Sequence, residues 1–268
     1  MQMYRPFIRR KRSGAPVLSR NEIDTITENM LMDYDPKLLT HPQEIDVDAF
    51  AQNYLGAHQS YEYLSHCGVY LGMTVFNDTN RVEIFDPVTQ LADYTSVKAN
   101  TIIIDRSFLE EEQDQRYRFT VGHECGHLGL GHQAYFGYDP YQISEDQYCG
   151  SESPALVRCR VNNSRGRSQD TRSWSDEDWM EWQADNFSSC LLLPKKAIHT
   201  LKDMIDDGYD YPGSHGLPSL IDAVPKIFNV SHEAAIIRLR QLGFVNDHFS
   251  QKPDRRSRVE YSLAGLEF

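Results

Sequence analysis

Apolar residues change their spacing along the chain, and the changes outline its elements. After a basic opening stretch, "LSRNEIDTITENMLMDY" puts Ile23, Ile26, Met30 and Leu31 on one face at helical spacing. Ser19 followed by Glu22 fits a capping box at the start of that helix. "IDVDAFAQNYLG" predicts a second, short helix with Asp46 as N-cap and Gly56 ending it. From Tyr61 to Asp105 the texture turns to β, because "GVYLGMTVF", "RVEIFD" and "NTIIID" are rich in β-branched and aromatic residues. The "NDTN" between the first two suits a hairpin connection, so a small sheet of three or four strands is expected. Helical periodicity returns near Gln115 and runs through "RFTVGHECGHLGLGH".

Residues 137 to 175 are polar and predict a long loop or insertion. A helix then starts near Ser175, with Asp176, Glu177 and Asp178 at its positive end, and runs through "WMEWQADNFSSCLLL" until Pro194 stops it. Toward the C-terminus, "LPSLIDAVPKIFNVSHEAAIIRLRQLGF" predicts two helices around a turn at Asn229 to Ser231. The expected class is α+β: a small mixed or antiparallel sheet set among helices, with a helical C-terminal part. The expected organisation is a basic tail at 1–18, a main domain at 19–215, a packed helix pair at 216–247 and a second tail at 248–268.

Composition narrows the class. Apolar residues at 40% and charged residues at 25% of 268 are ordinary for a soluble globular protein. No apolar run approaches the roughly 20 residues needed to cross a bilayer. The N-terminal "MQMYRPFIRRKRSG" is basic but lacks the apolar stretch of a signal peptide, so a cytoplasmic location is expected. The cysteines (Cys67, Cys125, Cys149, Cys159, Cys190) are odd in number and widely spaced, which points to a reducing compartment. Neither Cys149 nor Cys159 belongs to a C-x-x-C pair, so both are read as plain thiols rather than a shared metal or bridge site. A net charge of −12 opposes broad nucleic-acid binding. The exception is Arg5, Arg9, Arg10, Lys11 and Arg12, read as a frayed, solvated tail in preference to a docking arm.

The chemistry sits in His123-Glu124-Cys125-Gly126-His127, which matches H-E-x-x-H. Four residues of helix turn by about 400°, so both imidazoles project from one face and can grip one zinc ion. Glu124 is turned by about 100° from His123, beside the metal without binding it, where it can take a proton from water. The competing account, two surface histidines and a glutamate, fits poorly with the apolar flanks "FTVG" and "LGL". His132 follows His127 by five residues, where the extended motif H-E-x-x-H-x-x-G-x-x-H needs six. On a continuing helix it would face about 140° away from His127. Gly129 and Gly131 could still bend the chain, so His132 stays a lesser ligand candidate, a cleft residue or a satisfied histidine at the helix end. The better third ligand is Glu181 in "EWQADNF", with Asp185 four residues on, placed to accept the free N–H of a ligand histidine. Zinc is expected in preference to manganese from the ligand types.

At these residues the chain resembles the ImmA/IrrE family of metallopeptidases, over roughly Ser19 to Phe244. "FTVGHECGHLGLGH" is similar to the family's aromatic-Thr-x-x-His-Glu-x-Gly-His segment. "EWQADNFSSCLLLP" is similar to its E-x-x-A-[DN]-x-F-A-x-x-L-L-x-P helix, and "FNVSHEAAIIRLRQLG" to its Val-Ser…Arg-Leu element. Ser188 in place of alanine and the long insertion between the two helices are departures. The resemblance implies a zincin-like fold with a small sheet over an active-site helix and a helical lower part. It implies His123, His127 and Glu181 as metal ligands and Glu124 as catalytic acid/base. It further implies a zinc endopeptidase of bacterial, phage or mobile-element context that cuts a helix-turn-helix repressor.

Some points stay open at the level of sequence. His132 and Tyr135 are the nearest candidates for an oxyanion donor or cleft residue. "NTIIID" is expected to present an open edge where an extended substrate adds as a strand. A different class of function comes from residues 219 to 243, which resemble a helix-turn-helix with Ser231 as N-cap and Arg238 and Arg240 on its second helix. That unit would make the protein a DNA-binding or non-cleaving regulator with a structural metal, against which the overall acidity weighs.

Overall fold

A computed structural model describes residues 4–109, 113–136, 155–160, 171–208 and 219–245. The 248–268 tail, Cys149 and most of the polar 137–175 stretch lie outside the described residues. The chain is mixed α+β.

Helix α1 (Arg20–Tyr34) begins at the expected capping box, with Ser19 and Glu22 each accepting from the other's backbone N–H. A short α2 (Lys37–Thr40), absent from the sequence reading, follows. Asp46 caps α3 (Val47–Ala49), which runs on into a wider π-type turn at Phe50–Tyr54 before Gly56 reverses the chain at φ +68°. The strands are β1 (His58–Glu62), β2 (Tyr70–Val75), β3 (Thr79–Asp86), β4 (Leu91–Val97), β5 (Thr101–Asp105) and, after helix α4 (Asp114–Gly129), β6 (Leu156–Arg160). Then come α5 (Asp176–Leu192), α6 (Lys195–Asp206), α7 (Leu220–Ile227) and α8 (His232–Gln241).

One sheet has the order β1-β5-β2-β6, parallel between β1 and β5 and antiparallel in its other pairs. Strand β5 alternates cleanly: Ile102 and Ile104 join the large core on the helix side, and Ile103 joins a smaller cluster on the opposite face with Met73, Val75 and Val82. Helix α4 packs beneath β2, β5 and β6.

Several expectations change here. "NDTN" does not join paired neighbours, because β3 leaves the sheet and forms a separate antiparallel ribbon with β4. That ribbon caps the smaller core through Val82, so β3 follows its own burial rather than its nearness in sequence to β2. "NTIIID" is no open edge: β5 lies between β1 and β2, with every residue buried, as its unbroken apolar run suits. Among the described residues the edges are β1 and β6, and β6 comes from the segment expected to be loop. Nor is the basic N-terminal segment a frayed tail. Lys11 Nζ pairs with Asp176 at 2.5 Å, Ser13 Oγ donates to the same carboxylate at 2.6 Å, and Ala15 is buried. The acidic N-terminus of α5 is therefore what Lys11 and Ser13 dock on.

Helices α4 and α5 meet almost backbone to backbone. A methyl on Gly126 would stand 2.9 Å from Ala184 Cα, and one on Gly122 would stand 2.6 Å from Ser188 Oγ. This close approach brings residues of α5 within side-chain reach of the α4 histidines.

The C-terminal pair α7 and α8 is pinned to the rest by Arg238. Its side chain is wholly buried, donating to Leu193 O at 3.1 Å at the end of α5 and pairing with Asp24 of α1. Arg238 thus serves packing and is not presented to a phosphate backbone. Among the described residues, no helix is long and apolar enough to cross a membrane.

Candidate metal centre

One turn of α4 places His123 and His127 side by side, both fully buried, with Nε2 atoms 3.0 Å apart. Glu181 reaches in from α5, with Oε2 3.4 Å from His123 Nε2 and Oε1 3.4 Å from His127 Nε2. Ligands on a tetrahedral ion with bonds of about 2.0–2.1 Å stand about 3.3 Å apart. The triangle of two imidazoles and one carboxylate therefore has the size that such an ion needs.

Each imidazole is turned by a partner on its far side. His123 Nδ1–H donates to Asp185 Oδ1 at 2.9 Å, one helical turn beyond Glu181. For His127 the partner is His132, with Nδ1 atoms 2.7 Å apart, and His132 Nε2 lies 3.1 Å from Gln183 Oε1. Gln183 gives its own Nε2–H to Pro16 O at 3.0 Å, which fixes its amide with the oxygen toward His132. The tautomers follow in order. His132 donates through Nε2 and accepts at Nδ1, so His127 donates through Nδ1 and keeps its Nε2 lone pair free. Both Nε2 lone pairs then converge on Glu181, as ligation requires. Burial and the neighbouring His127 push His132 well below its ordinary value, in keeping with a neutral ring.

Charge around the triangle is anionic. Burial lowers His123, but Cys159, Asp185 and Glu181 outweigh it and raise the imidazole well above its ordinary value. Burial likewise acts to raise Glu181, yet the imidazoles of His123 and His127 beside it hold its carboxyl well below the ordinary glutamate range. Both shifts say that this position favours positive charge.

Glu124 lies buried against the underside of β2. Thr74 Oγ1 donates to its Oε2 at 2.6 Å, while Oε1 has no partner. Burial raises its pKa, opposed by His123 and His127. Its room comes from Gly72: a methyl there would stand 2.4 Å from Glu124 Oε1. Gly72 and Thr74 thus share the face of β2 that looks down on α4.

His123, His127, Glu181, Glu124 and Asp185 all come together. His132 comes close for a reason the motif arithmetic did not weigh. Gly131 at φ +68° ends α4 and turns the chain back, so His132 supports His127 instead of completing the triangle. With both ring nitrogens engaged, it has no N–H to offer an oxyanion. Tyr135 sets its ring edge-on against Phe136 and makes none of the hydrogen bonds that orient the triad. Four residues escaped the sequence reading as parts of this site: Gly72, Thr74, Gln183 and Cys159. Cys159 was read as a plain thiol, but it is buried on β6 beside His123. Its sulfur, a His123 ring nitrogen and a Glu124 carboxylate oxygen all lie within 4.8 Å of one another. The alternation of Val157 and Cys159 inside a polar stretch was the available signal.

No protein-family model matches the chain, and a search of curated proteins finds no match to it either.

Proposed function

We propose that this chain is a zinc-dependent endopeptidase of zincin-like architecture, similar to ImmA/IrrE enzymes, that cuts a helix-turn-helix transcriptional repressor of a phage or mobile element. The observation that carries this reading is the meeting of two buried Nε2 lone pairs with Glu181, beside a buried Glu124 oxygen that has no partner. Three ligands with an adjacent carboxylate form the arrangement of hydrolytic zinc sites. The N2O donor set supports zinc over manganese, which favours all-oxygen surroundings. When bound, the ion supplies Lewis-acid chemistry, lowering the pKa of water and polarising a carbonyl oxygen.

The chain's own groups account for the rest. His123, His127 and Glu181 hold the ion, and Asp185 and His132 fix the two rings in the tautomers that permit it. Glu124 accepts the proton of the attacking water at Oε1 and returns it to the leaving amine. Thr74 steadies the other carboxylate oxygen so that Oε1 keeps its aim. Burial of Glu124 raises its proton affinity, which suits a group that must give the proton back.

The test pairs Glu124→Gln with the intact protein against a repressor encoded beside its gene, with and without chelator. The variant is expected to keep its zinc by elemental analysis and to lose cleavage by at least about 10²-fold. Retained turnover in the variant, or cleavage that ignores the chelator, refutes the reading.

A further inference from the structure

We propose that the free edge of strand β4 joins two copies of this chain, pairing antiparallel with itself about a two-fold axis at Tyr94. The β3–β4 ribbon stands apart from the four-stranded sheet. Its β3 side is tied back, because Phe85 N–H donates to Tyr63 O at 2.7 Å. On the other side, among the described residues, β4 pairs with β3 alone, and Leu91 to Tyr94 are exposed in an unbroken row. Leu91 is 66% and Tyr94 64% exposed, and Val88 in the connecting turn is 88% exposed. An edge of that length ordinarily carries lysine, proline or a bulge that keeps other chains off. "LADYTSV" has neither lysine nor proline, and its register with β3 runs without a break from Thr95 to Leu91.

The residues of β4 fit a second copy of themselves. Tyr94 N–H is held by the carboxylate of its own neighbour, Asp93 Oδ1 at 2.8 Å, so it points away from β3 and marks Ala92, Tyr94 and Ser96 as the outward-facing set. Tyr94 is also the middle of the seven-residue strand. Pairing over the whole strand therefore puts the axis there. Tyr94 then lies opposite Tyr94 of the second copy, Ala92 opposite Ser96, Asp93 opposite Thr95 and Leu91 opposite Val97. All three outward residues fall in hydrogen-bonded pairs, which supply about six backbone bonds. Leu91 meets an apolar partner, the Thr95 hydroxyl meets the Asp93 carboxylate, and the two tyrosine rings meet at the centre. An axis one residue away, at Asp93, would set two carboxylates directly against each other, which a ladder disfavours. On pairing, the Tyr94 carbonyl of the second copy takes the N–H that Asp93 now caps and releases that carboxylate to Thr95.

Sedimentation velocity of the full chain over about 1–100 µM tests this, since one strand ladder is a small interface and a micromolar dimer is expected. In hydrogen exchange, the amides of Ala92, Tyr94 and Ser96 should slow as protein concentration rises. Tyr94→Lys and Tyr94→Glu each set like charges across the axis and should weaken the dimer at least about tenfold, with unchanged far-ultraviolet circular dichroism. Because Tyr94 faces its own copy, an equimolar mixture of the two variants brings opposite charges together and should recover the dimer. An intact chain that stays monomeric throughout overturns the proposal and leaves this edge to a partner of other chemistry. A dimer that both variants keep, or amides of β4 that exchange alike at all concentrations, removes β4 from the interface. A dimer that both variants lose and the mixture fails to recover overturns the axis at Tyr94. No readout here involves metal or cleavage, so the metallopeptidase reading stands or falls separately.

Discussion

Replacing Gly72 by alanine would set a methyl group 2.4 Å from Glu124 Oε1 and 2.9 Å from Thr120 Cγ2. Ordinary carbon–oxygen contacts stand at roughly 3.3–3.6 Å, so the carboxylate or the strand must yield by about 1 Å. Little can give way. Thr74 anchors the other oxygen at 2.6 Å, and α4 is braced from below where Gly126 meets Ala184. Overpacking of this kind costs about 1–3 kcal/mol. Loss of glycine's freedom in the unfolded chain returns about 0.4–1 kcal/mol. A net destabilisation of roughly 1–2 kcal/mol is expected for Gly72→Ala by urea titration under saturating zinc. In a Glu124→Ala background the methyl enters the space left by the carboxylate, and of its three nearest atoms the end of the Thr120 side chain remains. The double-mutant cycle should therefore show a coupling of about 1–2 kcal/mol. Additivity within about 0.5 kcal/mol would refute the reasoning, because the cost would then belong to the strand backbone and not to the carboxylate.

Asp185→Ala removes the acceptor for His123 Nδ1–H and is expected to weaken zinc binding by about 10–100-fold in a chelator competition; Asp185→Asn, which keeps an oxygen acceptor, should lose less. Arg238→Ala leaves Asp24 and Leu193 O without their buried donor and should cost about 3–5 kcal/mol, read as a lowered thermal midpoint. That cost has a definite pH dependence. Burial works against the Asp24 carboxylate, but Arg238 outweighs it and holds the group below the ordinary aspartate value. In the intact protein the contribution is therefore complete above about pH 4 and is lost only as pH falls through the depressed value. In the variant, burial is still opposed by Cys190 and Lys195 but no longer by Arg238, so the Asp24 value rises and protonation relieves the buried charge as pH falls. The gap in thermal midpoint should narrow on acidification, and a constant or widening gap would contradict the assignment.

How much was legible follows from which interactions are local. The Ser19–Glu22 box, the Asp176–Asp178 helix start and the four-residue spacings His123–His127 and Glu181–Asp185 lie within one or two helical turns, where spacing alone fixes direction. Glu181 stands against both α4 histidines, whereas His132, which helix arithmetic turns away, is brought back behind His127 by the turn at Gly131. What stayed hidden depends on pairing between distant segments. Whether β3 joins β2 or β4 is decided by which core Val82 enters, and nothing in "NDTN" states that. Gly72 carries meaning only once Glu124 lies beneath it, and Cys159 only once β6 lies beside β2. The docking of Lys11 and Ser13 required knowing that Asp176 would be their neighbour.

The amide of Gln183 takes its flip state from a single peptide carbonyl, that of Pro16. The lone pair offered by His127 is then inherited through a chain of proton positions that starts outside the two ligand helices. Trimming the polypeptide ahead of Ser19 would free that amide to invert and let the proton on His132 hop to its other nitrogen. A shortened preparation would then bind metal poorly with every ligand intact, so the choice of start codon or the position of a purification tag bears directly on whether the protein is recovered loaded or empty.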